Sequence, residues 1–228
     1  MTTKKTSNTK AVNTNLSYFT LRKSIGWFGL ILPWAAWLFA WSYEPSISDF
    51  YYTRAGVLFT SVLILVGVFL ISYRGYERDT EKISDNIITW VGGGLIIIVA
   101  LVPTPYIHFT SLPCPTPICH ADDVMGFVHF GSAAGFFACM GYLSIYRFTK
   151  GDAANTDKRV RNRIYRFCGW GIWGVLALAG VLIFGFNVDE DWPHLIFWVE
   201  VVLLVLFGTS WLVKGKGLVD LRLQQDDD

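Results

Sequence analysis

Polar and apolar positions segregate along this chain in blocks of about twenty residues rather than alternating residue by residue. Six apolar stretches, 24–42, 50–73, 87–103, 123–146, 166–187 and 194–213, are separated by short polar connections. About twenty residues at ~1.5 Å each cross the ~30 Å hydrocarbon core of a bilayer. The pattern predicts an all-α polytopic membrane protein, a bundle of six transmembrane helices filling residues 24–213. A disordered cytoplasmic N-terminus (1–23) and a C-terminal tail (214–228) are expected to flank it. No small-x-small cleavage site follows the first apolar stretch, so it is expected to stay as a helix rather than leave as a signal peptide.

The second stretch begins in a polar, aromatic collar, Ser46-Ile47-Ser48-Asp49-Phe50-Tyr51-Tyr52-Thr53-Arg54. Taken as one helix over 48–73, it gathers Asp49, Thr53, Gly56, Thr60 and Gly67 within about 40–60° of one another, a stripe suited to other helices rather than lipid. Arg54 falls roughly 140° from Asp49 on the same wheel, so snorkelling to headgroups is expected ahead of the alternative, a pair with Glu200 across helices. Gly92-Gly93-Gly94 and Gly131-Ser-Ala-Ala-Gly135 predict close helix approach.

A 53% hydrophobic chain with 16% charged residues and mean hydropathy +0.41 lies outside the soluble class. Ten Trp, ten Tyr and seventeen Phe suit two interfacial belts. The basic residues are sorted by connection. Lys4, Lys5, Lys10, Arg22 and Lys23 precede the first stretch; Arg74, Arg78 and Lys82 follow the second. Seven lie between Arg147 and Arg166, and Lys214, Lys216 and Arg222 follow the sixth. Only Arg54 stands apart, which by the positive-inside rule places both termini in the cytoplasm of a cell whose cytoplasmic membrane the chain crosses. The charges are sorted by side rather than gathered in one patch, so no nucleic-acid partner is expected. Residues 157–166 predict an anchor for anionic inner-leaflet lipid. A protein partner or a homo-oligomer is compatible with the same pattern.

The outer side is then left with segments 43–54, 103–123 and 187–193. Asp122 or Asp123 is expected to cap the fourth helix, and Asp191 with Pro193 the sixth. His129 and Glu200 then lie at matching depth, each about 10 Å inward. A carboxylate inside an apolar helix costs about 2.5–3.5 kcal/mol on insertion scales, so Glu200 needs a partner, water or a proton. His129, Asp49 and Glu200 are the candidate catalytic residues, with His129 the general base because imidazole works near neutral pH. Ser48, Tyr52 and Arg54 are the candidate substrate contacts. The plainer alternative is a scaffold or accessory subunit whose polar cluster only locks helices together.

Asp49, His129, His194 and Glu200 are the donors that a metal-dependent intramembrane hydrolase would use. No two of them share a ligand spacing on one helix, so no metal and no other cofactor is expected. Cys114 and Cys119 bracket a proline-rich turn on the oxidising side, where a structural disulfide is expected. Cys139 and Cys168 are expected to be packing residues.

Ile47-Ser48-Asp49 entering the second helix, Leu101-Val102-Pro103 ending the third, and His129-Phe-Gly-Ser-Ala133 with Phe136-Phe137 in the fourth form a pattern. In these motifs, over 47–147, the chain resembles the Frag1/DRAM/Sfk1-type and related bacterial six-helix membrane proteins of unknown function. The resemblance implies a role facing lipid or lipid anchors, with Ser48, Asp49 and His129 at the matching positions. Glu200 and the Cys114/Cys119 turn lie outside the pattern.

Overall fold

The computed structural model describes residues 4–73, 85–105, 122–150, 156–186, 192 and 194–215. Among these residues the fold is helical, with no strand: α1 Lys4–Ala40, α2 Gly56–Ile71, α3 Asp85–Leu101, α4 Asp123–Tyr142, α5 Thr156–Phe186 and α6 Leu195–Lys214. A single π turn, Leu143–Arg147, continues α4. Four helices carry apolar stretches long enough to cross a membrane, Thr20–Ala40, Asp123–Arg147, Thr156–Ile183 and Leu195–Lys214. The other two, α2 and α3, are apolar but shorter. Large apolar side chains face outward from every helix, Trp27, Val57, Trp90, Phe127, Leu178 and Trp198 among them. A soluble monomer rarely exposes apolar surface on this scale, so the molecule has the character of a membrane protein.

Each helix packs on its neighbours in sequence, and α6 returns to pack along α1, closing a ring. Three of these contacts are backbone-to-backbone crossings through paired glycines. A Cβ on Gly67 of α2 would lie 2.8 Å from the Gly93 carbonyl of α3, and the reverse distance is 2.7 Å. Gly26 and Gly208 join α1 to α6 in the same reciprocal way, and Gly141 and Gly169 join α4 to α5. Dispersion and backbone approach replace the hydrophobic effect as the glue between such helices. The 131–135 motif behaves otherwise: Gly131 faces open space and only Gly135 meets a neighbour, Leu95 of α3.

The two ends of the ring differ in chemistry. At the basic end, the Arg22 guanidinium lies over the Tyr73 ring at 5.2 Å and the Lys214 ammonium over Phe148 at 4.8 Å. Trp211 sits edge-on between those rings, 5.3 Å from each, so cations and aromatics close that end together. At the other end, α1 stops at Trp41, whose φ of 55° turns the chain back. The returning segment forms a 3₁₀ turn, Ser48–Tyr52, and all five of its residues are buried. It plugs the mouth of the bundle.

This turn corrects the expectation of one helix over 48–73. Thr53 is extended (φ −104°, ψ −178°) and α2 starts only at Gly56. The Thr53 hydroxyl donates to the Phe50 carbonyl and accepts from the Ala55 amide, local bonds that compete with the helical ladder. Asp49 therefore belongs to the plug and not to a face of α2. The sixth helix also starts later than its expected acidic cap. It begins at Leu195, whose N–H donates to the Trp192 carbonyl at 2.9 Å. The disulfide expected between Cys114 and Cys119 falls outside the described residues. Cys139 and Cys168 are free thiols, half-buried and buried in the packing.

Candidate functional site

Three elements converge on the plug. The side chain of Asp122 accepts from the Met125 amide at 2.8 Å, capping α4 as expected. Two turns further on, His129 is 1% exposed. Opposite it, α3 runs out at Leu101 into Pro103-Thr104-Pro105. The last carbonyls of a helix have no partner within it, and proline at 103 and 105 stops the chain supplying one locally. His129 Nδ1 lies 2.5 Å from one of these orphans, the Val102 carbonyl. Gly126 makes room for this approach, since a Cβ there would stand 2.8 Å from Pro105.

The other imidazole nitrogen, Nε2, lies 2.9 Å from Ser48 Oγ. Ser48 Oγ is in turn 3.1 Å from Glu200 Oε1. The second carboxyl oxygen, Oε2, accepts from the Ile47 amide at 2.5 Å, at the start of the 3₁₀ turn. His129 of α4, Ser48 of the plug and Glu200 of α6 thus form one continuous chain of hydrogen bonds.

Its protons can be counted. A carbonyl only accepts, so Nδ1 of His129 carries hydrogen. Two hydrogens then satisfy the two links Nε2···Oγ···Oε1. Either a neutral imidazole faces the serine hydroxyl with the acid protonated, or an imidazolium faces it with the acid ionised. The total charge is the same in both, and the hydroxyl is the bridge by which one passes into the other.

Asp49 stands beside this chain, bonded separately. Its Oδ1 accepts from the Thr104 hydroxyl at 2.8 Å, and its amide donates to Ser46 Oγ at 3.1 Å. Burial pushes the Asp49 carboxyl above its ordinary value, against hydrogen bonds from Thr104 and Ser46 that pull it down. Tyr52 donates its hydroxyl to the Thr104 carbonyl at 2.7 Å, and burial pushes that phenol up to about 12, so it stays protonated. Arg54 is exposed and stands outside the cluster. His194 serves packing, its ring stacked on Tyr43 at 4.0 Å.

The folded state therefore holds the Asp49 proton more tightly than the unfolded chain does. Stability from this group grows as pH falls from its raised pKa toward the ordinary 3.8, and is absent above that window. Asp49→Asn keeps an acceptor for Thr104 without a buried charge. It is expected to melt higher than wild type at neutral pH, with the gap closing on acidification. Thermal unfolding across that range checks it, and a gap independent of pH would contradict the assignment.

Thr104, Ser46 and the Val102 carbonyl were missed in the sequence. The visible signal was the pair of prolines flanking Thr104, which frees helix-terminal carbonyls where the chain leaves α3. Among the described residues no three His, Cys, Asp or Glu side chains form a metal-ligand set, and both nitrogens of His129 are engaged. What the geometry offers is a serine hydroxyl between an anchored imidazole and a carboxyl group. No family model, curated protein or solved structure matches this chain.

Proposed function

We propose that this chain is a multi-pass protein of the cytoplasmic membrane that binds a lipid or lipid-linked group at the outer end of its bundle and processes it by acyl transfer at Ser48. Six crossings with both termini in the cytosol are part of the proposal. The sorting of Lys and Arg among the connections supports it. At ~1.5 Å per residue α2 and α3 are about 24 and 26 Å long, short of the ~30 Å core. The buried plug lies beyond α2, on the outer side of its span. The motif resemblance at Ser48, Asp49 and His129 supports a lipid-directed role.

One observation carries the chemistry: Ser48 Oγ at 2.9 Å from an imidazole nitrogen whose ring is fixed by the Val102 carbonyl. A hydroxyl is a weak nucleophile until an adjacent base takes its proton. In the proposed step, Ser48 Oγ bonds to the acyl carbon as its proton passes to His129 Nε2. The bond to the leaving group then breaks, and the same proton goes to the departing oxygen or nitrogen. Water or a second lipid hydroxyl discharges the acyl-serine by the reverse route. Glu200 holds the plug in register and exchanges protons with the hydroxyl.

A long-chain alkyl fluorophosphonate, applied to membranes containing the protein and followed by peptide mass spectrometry, tests this directly. A phosphonate on Ser48 is expected, and none in Ser48→Ala. The scaffold alternative is favoured by the bonds tying the outer segment to α6, Ile47 N–H to Glu200 and Phe197 N–H to the Pro45 carbonyl at 2.9 Å. Under it, Ser48 stays unlabelled in folded wild-type protein and Ser48→Ala changes only the melting temperature.

A further inference from the structure

The basic end of the bundle carries a second feature, remote from Ser48. An open groove of about 770 Å³ runs along α5, lined by Arg159, Asn162, Arg163, Arg166, Phe167 and Trp170. The spacing of these residues, three and four apart, is that of one face of a helix. Over eleven residues the face descends roughly 16 Å along the axis. Its charged end starts where the apolar part of α5 has not yet begun, and its aromatic end lies within it.

The arginines are exposed, and among the described residues of α5 no acid shares this face. Asp157, the sole acid in residues 156–186, lies at least about 120° from each of them on the helical wheel. Arg159 donates to the neutral Thr156 hydroxyl at 3.2 Å. Guanidinium groups three and four residues apart share one face of the helix, and each offers the planar fork that grips phosphate oxygens in pairs. Below them Phe167 and Trp170 are 71% and 56% exposed, at the level where amphipathic rings settle among lipid glycerols. Further down the same side, a Cβ on Gly174 would meet nothing within 4 Å. Leu178 and Val181 continue outward-facing beyond it.

We infer that this groove is a binding site for one anionic phospholipid. Arg159, Arg163 and Arg166 hold the phosphate, Phe167 and Trp170 flank the glycerol backbone, and an acyl chain lies over Gly174 toward Leu178. Charge complementarity selects an anionic headgroup, and the continuous apolar track selects a lipid over a free phosphate. The site does not depend on the chemistry at Ser48.

Native mass spectrometry of the full-length protein, released from detergent with added dioleoyl phosphatidylglycerol or dioleoyl phosphatidylcholine, tests it. One tightly held phosphatidylglycerol is expected, with at least tenfold weaker retention of phosphatidylcholine. Arg163→Ala/Arg166→Ala is expected to weaken phosphatidylglycerol at least tenfold. Arg163→Lys/Arg166→Lys is expected to weaken it several-fold, because an ammonium cannot form the fork. Trp170→Ala, which keeps every charge, is expected to lose retention as well. Full retention in the lysine variant would mean a diffuse field and overturn the site. Competition by millimolar glycerophosphate equal to that of the lipid would reassign it to free phosphate and overturn the proposal too.

Discussion

In His129→Gln, phosphonylation of Ser48 is expected to slow by about a hundredfold to ten-thousandfold, the range a positioned general base contributes. Glutamine can still donate toward the Val102 carbonyl and toward the Ser48 hydroxyl, so the plug keeps hydrogen-bonding partners. It cannot take a proton. His129→Ala adds a second loss, because it empties a site 1% exposed and orphans the Val102 carbonyl. The alanine variant is therefore expected to be both slow and less stable, the glutamine variant chiefly slow. Labelling rates and melting curves measured on the same preparations separate the two. Wild-type labelling in the glutamine variant would remove His129 as the base.

Glu200→Ala is expected to cost the fold about 2–4 kcal/mol, because in a buried place it leaves the Ile47 amide without its acceptor and the Ser48 hydroxyl without one of its two partners. For a chain of this size that corresponds to a fall of roughly 5–15 °C in melting temperature. Glu200→Gln preserves both links, its carbonyl oxygen accepting from Ile47 and its amide donating to Ser48 Oγ. It is expected to melt within a few degrees of wild type. It also freezes the proton arrangement in the neutral form, since an amide cannot ionise. Thermal unfolding of the pair checks the count of hydrogens along the chain. Equal destabilisation by both substitutions would show that the carboxyl acts as a charge instead.

The helices were legible in the sequence because each apolar run is long and bounded by charge. The depth of His129 and Glu200 followed from the same arithmetic: Asp122 caps α4 as expected, and α6 starts only a few residues late. The break at Thr53 was not legible. Its cause is a hydroxyl choosing its own backbone neighbours, and a polar collar reads equally well as the interfacial end of one continuous helix. The anchor of His129 was hidden for a different reason. A backbone carbonyl has no residue-type signature, and only the prolines after Val102 hint that one is free. Ser48 is legible only as a polar residue of the collar; its position between imidazole and carboxyl needs the turn at 48–52. Asp49 is bonded to Thr104, one step to the side of the chain from His129 to Glu200.

Closure of the ring by α6 against α1 has a consequence for biogenesis. Glu200 meets its partners Ile47 and Ser48 across some 150 residues of chain. Until α6 is made, the Gly26 face of α1 has no Gly208 to meet and the polar turn at 48–52 has no carboxyl group. The centre is thus complete only once α6 has joined α1, and a chain that stops before Leu195 holds neither that seam nor the relay.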